Sequence, residues 1–323
     1  MNKINKSSDN ENPSKDEALL VRVSWLYYVE ELTQKQIGDR LGLSRIKINR
    51  LLSQARRSGI VEIRINATLP VHIEMEHKLC TIYGLRDAVI LPDSSPGEST
   101  YLALAQGVSD WLIPRLDENI KVGLSIGRTV SHLPLVFRVD QQVNCTFVEI
   151  MGGAANYTGS FEQYNVTSRM AELAGGRAIY FYAPTIVSNA DVRQTLMDEQ
   201  SINEVLEIAR KCDITIQSAG SIQDGALLRE YNHVTDKELE DLRQRDAVGD
   251  VLCHYIDKNG HSIPGPIDGR VMSLDLDDLR QIPWRVGVGG VGKFDVLRAA
   301  LVGNIFNVLI TDVSTAKRLI GSS

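Results

Sequence analysis

Residues 33–59, TQKQIGDRLGLSRIKINRLLSQARRSG, leave a chain little choice but two short helices joined by a tight turn. Thr33 is an N-cap residue, and Gln36, three places on, completes a capping box in which each side chain satisfies the other residue's backbone N–H. The spacing predicts a helix from Gln34 that carries Ile37 and Leu41 on one stripe and stops at Gly42, a residue that tolerates the left-handed conformation. Ser44 caps a second helix, which buries Ile48, Leu51, Leu52 and Ala55 and leaves Arg45, Lys47, Asn49, Arg50 and Arg57 on its other faces. A helix-turn-helix unit places such hydrogen-bonding and cationic groups, at the N-terminal end of its second helix, against base edges in the major groove. Thr33, Gln34, Ser44, Arg45, Lys47, Asn49 and Arg50 are therefore the candidate DNA contacts.

An ordinary helical hairpin with a solvated basic face fits the same spacing, and charge argues against it. Residues 33–66 hold eight Lys or Arg against Asp39 and Glu62, in a chain whose net charge is −6. A single-sign patch in an acidic protein is what phosphate neutralisation requires. Residues 1–66 carry a net charge of +4 and residues 67–323 a net charge of −10, so nucleic acid would be repelled by the second part, which must do something else.

Residues 1–13 are polar and read as a mobile tail; residues 14–66 read as a DNA-binding head, and residues 67–323 as a larger second domain. Ser14 and Glu17 form a second capping box, opening a support helix that buries Leu19, Leu20, Val23, Leu26 and Tyr27 and ends near Glu31. After Gly59, Val61, Ile63 and Ile65 alternate with Glu62 and Arg64, which predicts a short strand leaving the head. Neither a signal peptide nor a membrane span is legible, and a cytoplasmic protein is expected. Cys80, Cys145, Cys212 and Cys253 lie far apart and the six histidines are scattered, so reduced buried thiols are expected, with no metal site, no cofactor and no catalytic residue.

Beyond residue 70 the chain alternates helix and strand. Residues 70–83 read as a helix, DAVILP as a strand, residues 97–116 as a helix with Leu104, Val108, Trp111 and Leu112 inward, and KVGLSI as a second strand. CTFVEIM, AIYFYAP, DITIQSAG, WRVGVGG and FNVLITD supply further apolar strands. Apolar strands alternating with helices imply an α/β fold with a parallel sheet covered on both faces, in which ligands sit at the carboxyl ends of the strands.

Three segments at such strand ends look chemical. Gly123, Ser125 and Gly127 match G-x-S-x-G, the nucleophile elbow of hydrolases, with His254 and His261 as unselected partners. Arg128 and Thr129 follow at once, and small residues, hydroxyls and a cation at a helix start also suit a phosphate cradle; a plain turn is the third reading. GVGGVGK, ending at Lys293, fits G-x-G-x-x-G with Asp312 standing 20 residues beyond Gly292, which would suit NAD, although the chain ends eleven residues after Asp312. It also fits the phosphate loop of NTPases, except that Phe294 stands where Ser or Thr must reach magnesium. An ammonium beside glycine N–H groups at a helix start attracts anions; a merely solvated Lys293 is the alternative. Gly152 and Gly153, after a strand, would let a ligand approach the backbone.

WLYYVEELTQ, IGDRLGLSRIKINRLL and RSGIVEIRI, followed by KVGLSIGRTV, EIMGGAA, AVGDVL and NVLITDVSTAKRLI in that order, closely resemble the SorC-type bacterial transcriptional regulators over nearly the whole chain. The resemblance implies that residues 67–323 are an effector-sensing and oligomerisation domain similar in fold to sugar-phosphate isomerases and glucosamine-phosphate deaminases, sensing a phosphorylated sugar, polyol or related metabolite, in a dimer or tetramer that represses or activates at an operator. It assigns Ser125, Gly127, Arg128, Thr129 and Lys293 to the effector, and Asp250, in AVGDVL, to its hydroxyls; Gly152 and Gly153, open to a ligand by their lack of side chains, complete the candidate effector site. Where some relatives carry a Schiff-base lysine before the glycine pair this chain has Met151, which removes that route. Two other functions fit the same sequence: a sugar-phosphate isomerase or deaminase, for which no base is identifiable by pattern, and a dinucleotide-sensing repressor.

Overall fold

The computed structural model describes residues 15–61, 71–94, 99–153, 166–222, 234–265 and 267–322. The chain divides into two compact units, residues 1–68 and residues 69–323. The polar N-terminal residues, the Ser14 cap and the strand read after Val61 lie outside the described residues.

In the first unit, α1 (Lys15–Tyr28), α2 (Gln34–Leu41) and α3 (Arg45–Arg57) close on one core. Leu20, Val23 and Leu26 of α1 meet Ile37 of α2 and Ile48, Leu51, Leu52 and Ala55 of α3, all buried. Thr33 and Gln36 form the capping box, Gly42 ends α2 in the left-handed region and Ser44 caps α3 through the Lys47 N–H. α1 stops at Tyr28, before the expected end near Glu31, because Leu32 N–H turns back to the Leu26 carbonyl and Glu31 takes a left-handed conformation. The turn between α2 and α3 needs a glycine that its end signals do not reveal. A Cβ on Gly38 would lie 2.6 Å from the Leu43 carbonyl oxygen, so only a bare Cα lets the turn fold this close.

The second unit is built on a seven-stranded sheet in the order β1-β10-β9-β5-β2-β3-β4, every pair parallel. Its strands are β1 (Asp87–Leu91), β2 (Lys121–Leu124), β3 (Thr146–Glu149), β4 (Arg177–Ile179), β5 (Ile214–Ser218), β9 (Trp284–Val288) and β10 (Val308–Asp312). α5 (Thr100–Leu112), α6 (Arg128–Val136) and α7 (Val166–Ala174) cover one face. α4 (Val71–Tyr83), α9 (Gln200–Ala209), α11 (Leu276–Gln281), α12 (Phe294–Val302) and α13 (Val313–Gly321) cover the other, while α8 (Ala190–Met197) precedes α9. Strand alternation divides the core: Val308 and Ile310 join the first layer, and Leu309 between them joins the second.

Two features depart from the sequence reading. AIYFYAP is a strand only over β4, because its partner β3 ends at Glu149 and the Glu149 carboxylate, at 2.8 Å, takes the Phe181 N–H that a longer ladder would use. An antiparallel sheet of β6 (Gly220–Ser221), β7 (Gly249–Val251) and β8 (His254–Ile256) also forms, with α10 (Asp236–Gln244) between β6 and β7. Segments this short show no periodicity. Asp250 therefore sits on a strand, opposite Gly220.

The sheet fixes where a ligand can bind. β2 lies between β5 and β3; from β2 the chain moves outward to β3, whereas from β5 it moves the other way to β9. The loops after β2 and β5 diverge, opening the crevice at the carboxyl ends that such reversals create.

Candidate functional site

On the head, Arg45, Lys47, Asn49 and Arg50 are all exposed along α3, and Thr33 and Ser44 are exposed at the two N-caps. The cap hydroxyls accept from the Gln36 and Lys47 N–H groups, and that of Thr33 also donates to Gln36 Oε1, so any phosphate contact would come from backbone N–H groups or from the Ser44 O–H. Gln34, half-buried, opens α2.

At the sheet crevice, three loops meet. The loop after β2 carries Ser125, whose N–H bonds to the Ile216 carbonyl of β5 at 3.1 Å, and Gly127, which opens α6. A Cβ on Gly127 would come 2.8 Å from both Cβ and Oγ of Ser218, so the start of α6 rests directly on the end of β5. Thr129 is buried in the first turn of α6, and Arg128 donates to the Tyr101 hydroxyl at 3.2 Å. From the loop after β9, the Lys293 ammonium donates to the Ala219 carbonyl just beyond β5. From β7, the buried Asp250 lies against the Cα of Gly220 and accepts the Cys253 N–H at 3.0 Å.

The charges of this group act on one another. Burial holds the Lys293 ammonium below the ordinary lysine range; Asp250 opposes that shift and Arg128 adds to it. Burial likewise raises the Asp250 carboxyl, against the Cys253 N–H, Lys293 and His254. Two cations that repel each other beside a helix N-terminus are relieved by an incoming anion.

A cavity of about 410 Å³ opens from the same loop, within the range of small-ligand pockets. Ser125 and Gly127 line its crevice side, Glu149 and Met151 its floor, and Phe181 and the exposed Tyr182 its other wall. Burial raises the Glu149 carboxyl, which the Phe181 N–H partly offsets. Sequence reasoning missed Tyr101, Ala219, Glu149 and Tyr182, because neither spacing nor motif links them to the loops they join.

Gly152 and Gly153 border this region, but their N–H groups bond to the Met272 and Ala183 carbonyls, at 2.8 and 2.9 Å. A Cβ on Gly152 would collide with the Ala183 and Pro184 carbonyls, so packing of the chain beyond β4 accounts for that glycine. Ser125 Oγ bonds to its neighbour's carbonyl, that of Ile126. Ser273, His254 and Asp268 form a chain that imitates a catalytic triad, at 3.1 and 2.8 Å. Ser273 is buried, however, and donates to the Leu252 carbonyl at 3.0 Å, while the His254 bond holds the Asp268 carboxyl below the usual range. This chain of bonds secures β8 to the segment beside Met151.

A family model described as "Putative sugar-binding domain" matches residues 70–321, and one described as "Sigma-70, region 4" matches residues 22–58. Transcriptional regulator LsrR of Klebsiella pneumoniae subsp. pneumoniae is 32% identical over 313 residues, covering 94% of this chain and 93% of its own length. LsrR of Escherichia coli strain SMS-3-5 is 31% identical over 326 residues, 99% of each chain. The crystal structure of the full-length sorbitol operon regulator SorC from Klebsiella pneumoniae superposes with a TM-score of 0.72 at 28% identity, covering 94% of this chain and 98% of that one.

Proposed function

The chain belongs to the SorC-type family of sugar-binding transcriptional regulators, and from that premise we propose that it releases or rearranges on operator DNA when a phosphorylated sugar or polyol enters the sheet crevice. The observation that carries this reading is the meeting of Arg128 and Thr129 at the start of α6 with the half-buried Lys293 ammonium, beside a cavity large enough for a sugar. The phosphate takes the place between the two cations and the α6 N–H groups, and Asp250 accepts from hydroxyls. The remainder of the effector extends past Ser125 and Gly127 into the 410 Å³ cavity. On the head, Arg45, Lys47, Asn49 and Arg50 contact the operator. A single three-helix head makes few base contacts, so the working unit is a dimer or tetramer on a pseudo-palindrome, acting in the cytoplasm on a carbohydrate-utilisation operon.

Thermal melting of the full chain against matched phosphorylated and unphosphorylated sugars and polyols, with NAD alongside, tests the reading. A ligand at a hundredfold excess over its Kd stabilises the folded state by about 2.7 kcal/mol. Stabilisation confined to phosphorylated compounds, with release of operator by the same compounds, is the expected result. Equal shifts from the unphosphorylated partners, or a shift from NAD alone, would overturn it.

A further inference from the structure

Ile46 is the second residue of α3 and is 84% exposed, more than any other large apolar side chain among the described residues. The core does not call for it: the buried stripe of α3 is complete with Ile48, Leu51, Leu52 and Ala55. It stands instead among Arg45, Lys47, Asn49 and Arg50, all exposed. Ile46, Asn49 and Arg50 are related by three and four residues and so share one face, directed away from the buried stripe. A β-branched apolar residue at the middle of a cationic, polar face disfavours the solvated state and contributes nothing to a phosphate contact. The major groove offers one apolar group to such a side chain, the C5-methyl of thymine.

We infer that Ile46 is a specificity-determining residue of the head, packing its side chain on a thymine methyl while Asn49 on the same face reads a nearby adenine and Arg50 a guanine or phosphate. The proposal rests on α3 being the base-reading helix, and goes beyond it by naming the base. Cβ atoms one helical turn apart are about 5–6 Å from each other, and base pairs rise by about 3.4 Å. The thymine read by Ile46 and the adenine read by Asn49 therefore lie one or two base steps apart in each half-site.

The probe is a duplex selected from a random-sequence library by the full-length chain, in which each thymine is replaced in turn by deoxyuridine, removing only the methyl. Binding is read by fluorescence anisotropy. Wild type should lose affinity about fourfold at one thymine per half-site, the amount expected for one buried methyl, and that thymine should lie within two steps of a recurrent adenine. Ile46→Ala should weaken binding to the thymine duplex and show no further loss at that position on the deoxyuridine duplex; Ile46→Val should retain the sensitivity. The side chain's exposure means that Ile46→Ala should melt as wild type does, which separates reading from folding.

The inference is overturned if no thymine methyl matters to wild type, or if Ile46→Ala keeps the full methyl sensitivity. Arg50→Ala distinguishes the two levels of failure. A loss of affinity in Arg50→Ala with Ile46→Ala unchanged leaves α3 as the reader and removes Ile46; no loss in either variant removes α3 itself.

Discussion

Replacing Lys293 with Met keeps the aliphatic stem and removes one ammonium from the crevice, and it should separate effector binding from DNA binding. The ammonium donates to the Ala219 carbonyl and faces Asp250, and Arg128 is close enough to act on its charge. A hydrogen bond to a charged group contributes about 1.5–3 kcal/mol, so the concentration of phosphorylated effector needed to release operator should rise roughly 10- to 150-fold. Operator affinity without effector should not change. The variant should also carry a pH signature. An acid whose folded pKa is raised holds a stability contribution that is complete below its unfolded pKa and is lost as pH rises through the folded one. Burial already raises Asp250, and Lys293 is one of the groups opposing that rise, so Lys293→Met widens the window of loss above the ordinary carboxylate range. The depressed Lys293 pKa works in the same direction: wild type gains stability as pH climbs toward the ordinary lysine range, and the Met variant lacks that gain. The melting temperature of Lys293→Met relative to wild type should therefore fall as pH rises from the ordinary carboxylate range toward the ordinary lysine range. Anisotropy of labelled operator titrated with the effector, and melting curves across that range, measure both. An unchanged release concentration, or a melting difference that is flat or rises with pH, refutes the reasoning.

Arg50→Ala should weaken operator binding by about 1–3 kcal/mol if Arg50 reads a base bidentately, with the loss confined to duplexes carrying that base. Gly127→Ala forces a Cβ into Ser218 and displaces the start of α6; effector release should fail while operator affinity, read in the same anisotropy titration, stays at the wild-type value. Thr33→Ala removes the capping hydroxyl of α2, worth about 1 kcal/mol, so α2 amides should exchange hydrogen roughly fivefold faster with those of the seven-stranded sheet unaffected.

The elements that local chemistry specifies were legible. Thr33 with Gln36, Gly42 and Ser44 mark helix ends within a few residues, and apolar runs such as NVLITD are buried strands whichever residues flank them. What was hidden depends on partners far along the chain. Gly38 is needed because Leu43 returns to it, Arg128 meets Tyr101 from the preceding helix, and Glu149 closes its strand by taking the Phe181 N–H. The β6–β8 sheet, made of segments of two and three residues, exists only once Gly220 and Asp250 are brought together. Cations and hydroxyls at strand ends could thus be named as site candidates, whereas the cavity wall beside them could not.

The glycine-rich loop shows how partners decide what a motif means. In a dinucleotide site the acidic residue beyond the next strand must keep its carboxylate for a ribose. Here Asp312 caps α13 with one oxygen, accepting the Thr315 N–H at 2.7 Å, and holds the loop with the other, accepting the Val291 N–H at 3.1 Å. The glycines have packing reasons as well. A Cβ on Gly287 would strike the Phe306 ring, and one on Gly290 would strike the Asp312 carboxylate. Both oxygens of the acid are engaged in shaping the loop, and the result of that shaping is the direction of Lys293, which crosses to Ala219 at the end of β5. A loop built this way presents one cation at the crevice and no free acid. The dinucleotide reading needs an acid free for a ribose hydroxyl, which this loop does not offer, while its cation still suits the phosphate of the proposed effector.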